Sequence, residues 1–477
     1  MSTRPNVVIL HTDQQRYDSL GCNGSAFAVT PNIDGLASEG ARFTRHFVQN
    51  PVCMPSRMSL LTGRYPSSLG IGTNGIPLPA ETLTLAGMLK RYGYETVHVG
   101  KLHFQPHSTR DHRGFHPDYG FDTLILSDEP GCYRDAYRKW VEGRAGEQVD
   151  AVNCGLPGGR VVWERLTGHR GTMSTAEERG DYRCETFGAD EGLTHASFVA
   201  EESVRCIRQR SGRPFLLFAG FYAPHPPLIA PRSCLDAQEV EAMPVPVVGA
   251  DEQMRSGYEG LGDADWRRLR AHYQALVSDV DRNVGKILAA LKREELEDET
   301  LVIFTSDHGE YLGDHGRVGK GTPGFDCITH VPLIMRYPGR IAGGREVAGL
   351  VEAVDVLPTI LDYCSVQADA SVQGRSLVGL LDGSRASVRD SVLMEHRQPG
   401  RSATRTVRTE AWKYSLTASL DGGSTEERLY DLSEDDDELK NVAGDEAYGA
   451  RLSEMRKLAL ERGIDAQGDR LPRTAPY

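Results

Sequence analysis

A cysteine at position 53 stands between Pro51 and Pro55 in the run NPVCMPSRMSLLTGR, with Ser56 and Arg57 close behind. Pro55 reads as the first residue of a helix and Gly63 as its stop, which sets the thiol at a helix mouth. Backbone N–H groups and the helix dipole favour negative charge there, so the thiol is expected to be acidic and reactive. Composition alone would make it a buried, inert cysteine. Four other segments bring polar groups directly after apolar runs. NVVIL leads into Asp13 and Gln14, YETVHV into Lys101 and His103, FLLFAGF into His225, and LVIFTS into Asp307 and His308. Singly, each has a structural explanation: the aspartates as turn formers or helix caps, His225 as a structural histidine flanked by prolines, His308 as a turn-closing residue, Lys101 as a solvated charge. Ligands of open α/β sheets bind beyond the carboxyl ends of the strands, so four such ends imply one convergent site. Asp13, Gln14, Asp307 and His308 offer two anionic oxygens, a neutral oxygen and an imidazole nitrogen, a set suited to a divalent cation. The oxygen majority favours Ca2+ or Mn2+ over a structural zinc, and the imidazole leans toward Mn2+.

The elements that must position these groups alternate between short apolar strands and helical patterns, the mark of an α/β fold with a large, mostly parallel sheet flanked by helices. Strands are predicted over 6–10, 94–99, 214–221, 300–306 and 331–338. Helices are predicted over 30–40 (Thr30 as N-cap, Pro31 first, Gly40 as stop), 55–63, 82–93, 196–210 and 269–292. Residues 104–193, rich in Gly, Arg, Asp and His, fit this rhythm poorly and read as an insertion over the sheet edge. Near 385 the texture changes. Segments 406–416 and 427–435 look like antiparallel strands, with a helix over 446–463, so a catalytic domain (1–385) and a small α+β C-terminal domain (386–477) are expected.

Chain-wide properties exclude some functions. Asp and Glu outnumber Lys and Arg by 67 to 54, and a net charge of −13 argues against a nucleic-acid or anionic-membrane binder. No stretch approaches the ~20 apolar residues of a membrane span, and the short run Val7–Leu10 is not a signal-peptide core. The nine cysteines are scattered and never form a C-x-x-C pair, which suits a reduced, cytoplasmic protein.

The motifs together resemble those of the sulfatase family. CMPSRMSLLTGR resembles the family signature in which a cysteine is oxidised to formylglycine by a maturation enzyme. GYETVHVGKLH (93–103) resembles its second signature, SDHGEYLGDHG (306–316) its third metal-binding segment, and LYDLSEDDDELKNV (429–442) its C-terminal strand and helix opening. The resemblance spans nearly the whole chain outside 104–193, and it implies an alkaline-phosphatase-like fold and hydrolysis of a small anionic ester. It implies that Cys53 becomes formylglycine, whose hydrated aldehyde attacks sulfur. Asp13, Gln14, Asp307 and His308, with the formylglycine hydroxyl, would hold the cation. Arg57 would steady that residue and the carboxylates, and Lys101 and Lys320 would bind sulfate oxygens. His225 or Lys320 would protonate the leaving alcohol, His103 would assist collapse of the sulfated hemiacetal, and Asn74 would touch the substrate. Family habit also implies a homo-oligomer. A geminal diol can eliminate sulfate without a second attack by water, which explains why a thiol is placed there to be replaced.

Asp13-Gln14 and Asp307-His308 depart from the Asp-Asp and Asp-Asn of the most familiar members and are similar to a branch containing choline sulfatases and phosphonate monoester hydrolases. Met54 and Leu102 are lesser departures. A sulfuric ester hydrolase acting on an aryl sulfate or a sulfated carbohydrate is the first reading. A phosphonate monoester or phosphodiester hydrolase with the same nucleophile is the alternative. A pseudoenzyme is disfavoured by the intact set of nucleophile precursor, ligands and lysines. Lys101, His103, His107, Arg110, His112, Arg113 and His116 fall within one stretch, either a solvated loop or a basic wall for a second anionic group. His396, Arg397, Arg405 and Arg408 are candidates from the C-terminal region.

Overall fold

A computed structural model describes residues 4–107, 114–153, 182 and 184–468. Strand β1 (Asn6–Asp13) is buried along its whole length, as a central strand covered on both faces must be. Its alternating side chains feed two different cores: Val8 and Leu10 pack on one side of the sheet, Val7 and Ile9 on the other. Around it lies an eight-stranded sheet built from β1, β2 (Ala41–Phe43), β3 (Glu95–Gly100), β4 (Thr123–Leu126), β5 (Phe215–Pro224), β6 (Thr300–Ser306), β7 (Leu333–Arg336) and β8 (Arg345–Val347), in the order β8-β2-β7-β6-β1-β5-β3-β4. Only β7 runs antiparallel to its neighbours. The four strands whose ends carry the predicted site, β6, β1, β5 and β3, are contiguous and mutually parallel. Their carboxyl ends therefore open on one side of the sheet.

Helices cover both faces. Helix α1 (Pro31–Glu39) starts at its proline as expected. Helix α2 (Cys53–Thr62) differs: it begins at Cys53 itself, with Val52 at the N-cap, so Pro55 falls within the first turn rather than opening the helix. All ten of its residues are buried, and Gly63 ends it in the left-handed region (φ 67°). Helix α3 (Leu85–Lys90) is shorter than predicted because Thr84 caps it, its hydroxyl accepting the Gly87 N–H at 3.3 Å. Helix α4 (His195–Gln209) matches its prediction closely, and α5 (Asp263–Arg293) starts six residues early on an acidic first turn.

Within the segment read as an insertion, β4 pairs in parallel with β3 and forms an edge of the main sheet. Segment 406–416 is not one strand. Its residues are shared between β10 (Ser402–Arg408) and β11 (Trp412–Ser419), which with β9 (Val392–Gln398) and β12 (Glu426–Asp431) make an antiparallel four-stranded sheet. Helix α6 (Gly449–Gln467) packs on that sheet through Leu452, Met455 and Ala459, against Leu393, Val407 and Tyr414. Buried ions join this layer to the rest: Arg389 pairs with Glu352 and Asp355, and Lys413 lies 2.7 Å from Asp326. Among the described residues no helix is long and apolar enough to cross a membrane.

Candidate active site

The strand ends do converge. Asp13, the last residue of β1, and Asp307, the first after β6, face the start of α2, and Arg57 on that helix bridges them. Its Nη2 donates to Asp13 Oδ2 at 2.9 Å, its Nε to Asp307 Oδ2 at 2.6 Å and its Nη1 to the Lys101 carbonyl at 2.9 Å. The guanidinium is 1% exposed and the carboxylates no more, so the whole bridge lies out of water. Gly220 makes room for it. A Cβ there would fall 2.2 Å from the Lys101 carbonyl oxygen that Arg57 uses. Lys101, fully buried, turns its Nζ to Asp13 Oδ2 at 2.9 Å and lies 4.6 Å from the centre of the Tyr222 ring.

Cys53 sits at the middle. Its Sγ is 3.2 Å from His308 Nε2, 3.8 Å from Asp13 Oδ1 and 2.8 Å from Lys320 Nζ. Lys320 also donates to Gln14 Oε1 at 2.9 Å, while the Gln14 amide nitrogen donates to Glu310. Gln14 and His103 both adopt left-handed backbone (φ 67° and 56°), a strain kept where surrounding contacts over-determine it. For Gln14 those contacts include its N–H on Asp307 Oδ1 at 2.9 Å; for His103, its N–H on Asp128 Oδ1 at 2.9 Å. Asn74 is exposed at the rim and its Oδ1 accepts the Met54 N–H at 2.9 Å, taking one of the free donors of the helix mouth.

The donor set fits a divalent cation. One ligating atom each from Asp13, Cys53, Asp307 and His308 lie within 4.8 Å of one another, all buried. His308 Nδ1 lies 2.8 Å from the Gly309 carbonyl, which fixes the proton on Nδ1 and leaves the Nε2 lone pair toward the cluster. Sγ here stands where the oxygens of an oxidised residue 53 would lie.

The electrostatics correct one expectation. The Cys53 thiol is not acidic: burial, with Asp13 beside it, pushes it up to about 11 despite Lys320. The helix mouth is too deeply buried, and too near two carboxylates, for the dipole to prevail. Burial works to raise the Asp13 carboxyl, but Lys101, His225, Arg57 and Lys320 hold it well below the usual carboxylate range. Burial lowers His308, and lowers His103 and His225 further, with a neighbouring lysine adding to the effect on each. Lys320 stays protonated, since Cys53 and Asp13 outweigh its burial.

Sequence reasoning missed Glu129. It lies three residues past the end of β4, 6% exposed, with Oε1 4.0 Å from Lys101 Nζ and 3.1 Å from His107 Nε2. Burial pushes its carboxyl up to about 7. The signal was there, since LILSDE is another apolar run ending in acids, but the segment had been assigned to an insertion. Of the proposed basic wall, His107 meets Glu129 and His116 Nδ1 lies 2.7 Å from the Pro117 carbonyl, whereas Arg110, His112 and Arg113 lie outside the described residues. Arg405 and Arg408 are engaged with Glu395 and Asp326, and Arg397 lies against Gly72, two residues from Asn74.

The profile of the Sulfatase family matches residues 5–366, a span that includes Asp13, Cys53, Asp307 and His308. The chain belongs to the sulfatase family. As a sulfatase it is a sulfuric ester hydrolase, and its family implies both a divalent metal and a formylglycine. The profile of the C-terminal region of N-sulphoglucosamine sulphohydrolase matches residues 313–463. This sulfatase is 30% identical to an arylsulfatase of Clostridium perfringens over 96% of its own length and 94% of the relative's. It is 30% identical to a choline-sulfatase of Rhizobium meliloti, covering 92% and 82% of the two chains. Its structure is similar to the phosphonate monoester hydrolase of Agrobacterium radiobacter, with a TM-score of 0.78 at 28% identity over 97% and 96% of the chains.

Proposed function

We propose that this sulfatase cleaves a sulfate monoester, an aryl sulfate or a sulfated sugar, with a formylglycine formed from Cys53 by a maturation enzyme. One observation carries the reading: Cys53 lies inside a buried cluster of Asp13, Asp307 and His308, with the Lys320 ammonium on its sulfur. Hydrated formylglycine supplies a hydroxyl that attacks sulfur and a second one that lets sulfate be expelled without further attack by water. Asp13, Gln14, Asp307 and His308 would hold a single Ca2+, with Mn2+ the alternative, to supply positive charge beside the ester oxygens.

The side chains divide the remaining work. Arg57 holds Asp13 and Asp307 in place and, with Lys101, keeps Asp13 ionised. Lys101 and Lys320 face the transferring group and offset its charge where water is excluded. Lys320, held protonated, or His225 gives a proton to the leaving oxygen; the lowered affinity of His225 for a proton favours Lys320. His103, whose buried Nδ1 has no partner among the described residues, takes the proton that residue 53 loses as sulfate departs. Asn74 at the rim borders the leaving group.

A phosphonate monoester or phosphodiester hydrolase is the second reading, favoured by the Gln14–His308 pair and the likeness to the Agrobacterium radiobacter enzyme. A catalytic domain over 1–385, a C-terminal domain over 386–477, a cytoplasmic location and a homo-oligomeric state complete the proposal. Turnover of 4-nitrophenyl sulfate against phenyl phenylphosphonate tests it. A higher kcat/KM for the sulfate, lost in Cys53→Ala, supports the first reading; a higher value for the phosphonate supports the second; equal rates in wild type and Cys53→Ala refute both.

A further inference from the structure

The mechanism leaves one buried charge unused. Glu129 places a carboxylate beside the lysine that faces the transferring group, in a site otherwise built to attract anions. Nothing in sulfate binding calls for it, and a like charge beside the substrate costs affinity.

Its use emerges from the charges around Cys53. Arg57, Lys101 and Lys320 supply positive charge there, and a divalent cation would add to it, so the site draws anions whatever their charge. Glu129 lies against Lys101 on the side of His107, where its repulsion bears on whatever that lysine binds. A sulfate monoester carries one negative charge, whereas free sulfate and, above neutral pH, phosphate monoesters carry two.

We propose that Glu129 is a specificity-determining residue that matches the site to singly charged tetrahedral esters and acts against dianions, both phosphate monoesters and product sulfate. The inference rests on the sulfatase reading for its substrate, but it concerns charge and not reaction. In a low-dielectric pocket the repulsion from Glu129 scales with the ligand's charge, so removing it must strengthen dianion binding by twice the logarithmic factor seen for a monoanion.

The test is calorimetric binding of two inert anions, inorganic sulfate and benzenesulfonate, to metal-loaded protein at pH 8. Wild type, Glu129→Gln and Glu129→Asp are compared. Glu129→Gln is expected to bind sulfate about tenfold or more tighter and benzenesulfonate only about threefold tighter. Glu129→Asp should keep the wild-type ratio. In turnover, 4-nitrophenyl phosphate should gain on 4-nitrophenyl sulfate in Glu129→Gln by a similar factor. An equal change for both anions, or weaker sulfate binding, overturns the proposal and leaves Glu129 as a packing or Lys101-anchoring residue. Should Glu129→Gln fail to fold, Glu129→Met, uncharged and of similar volume, takes its place, with the same result expected and the same result overturning the filter. Failure of the hydrolase reading would appear separately, as variants that shift anion binding as expected while the wild type turns over no sulfate ester.

Discussion

Arg57→Met, which keeps most of the stem volume and removes the charge, isolates the contact on which the site's assembly depends. Arg57 gives three hydrogen bonds in a fully buried setting, two of them to carboxylates. The losses are unequal. Asp13 keeps Lys101 at 2.9 Å, but Asp307 loses its one cationic side-chain partner among the described residues and retains only backbone donors, the Gln14 and His308 N–H groups at 2.9 Å each. Leaving one buried charge uncompensated costs about 3–5 kcal/mol, and the Lys101 carbonyl adds about 1 kcal/mol. A divalent cation between the same carboxylates replaces the missing charge, so the cost should shrink when metal is present. Urea unfolding of wild type and variant, with chelator and with saturating Ca2+ or Mn2+, measures both quantities. The expected result is a loss of about 3–5 kcal/mol in chelator and a clearly smaller one with metal. A loss under about 1 kcal/mol in chelator, or one of the same size in both conditions, refutes the reasoning.

Acid should unfold the protein early. His46, His98 and His195 are buried, and burial lowers each to about 3, against about 6.5 when unfolded. With the folded value depressed, the stabilisation is complete above about 6.5 and is lost as pH falls, by about 1.4 kcal/mol per unit for each histidine and ~4 kcal/mol for the three. Circular dichroism should therefore show unfolding before pH ~4; a native spectrum at pH 3.5 would contradict this. Asn74→Ala removes the acceptor of the Met54 N–H and should cost about 1 kcal/mol of unfolding free energy, checked by denaturant titration, with no change counting against the bond. Lys320→Ala should lower kcat by about a hundredfold or more, and most for esters of poor leaving groups. A uniform loss across aryl sulfates of graded leaving-group pKa would show that Lys320 binds but does not donate a proton.

How much of this was legible follows from where each signal resides. The central strands were readable because continuous apolar runs ending in Asp, Lys or His mark parallel strands covered on both faces, and those ends converge through β6-β1-β5-β3 adjacency. That adjacency is a long-range property that no local pattern encodes; the sequence implied only that the four ends share one site. The start of α2 was misplaced by two residues because Pro55 is tolerated throughout a first turn. The acidity of Cys53 was misjudged because a helix mouth is a local feature, whereas burial and the approach of Asp13 from a strand 40 residues earlier depend on tertiary packing. Glu129 was lost for a related reason. A short edge strand of four residues within a Gly- and Arg-rich segment has too few apolar positions to announce itself, so the acid after it seemed to belong to a loop.

The central claim is that Cys53 is a precursor. Peptide mass spectrometry across residues 50–68 of protein made alongside a formylglycine-generating system tests it most directly. The account predicts an aldehyde at position 53, with turnover of 4-nitrophenyl sulfate rising in proportion to its yield. An unmodified thiol in protein that nonetheless hydrolyses the ester at full rate would contradict it.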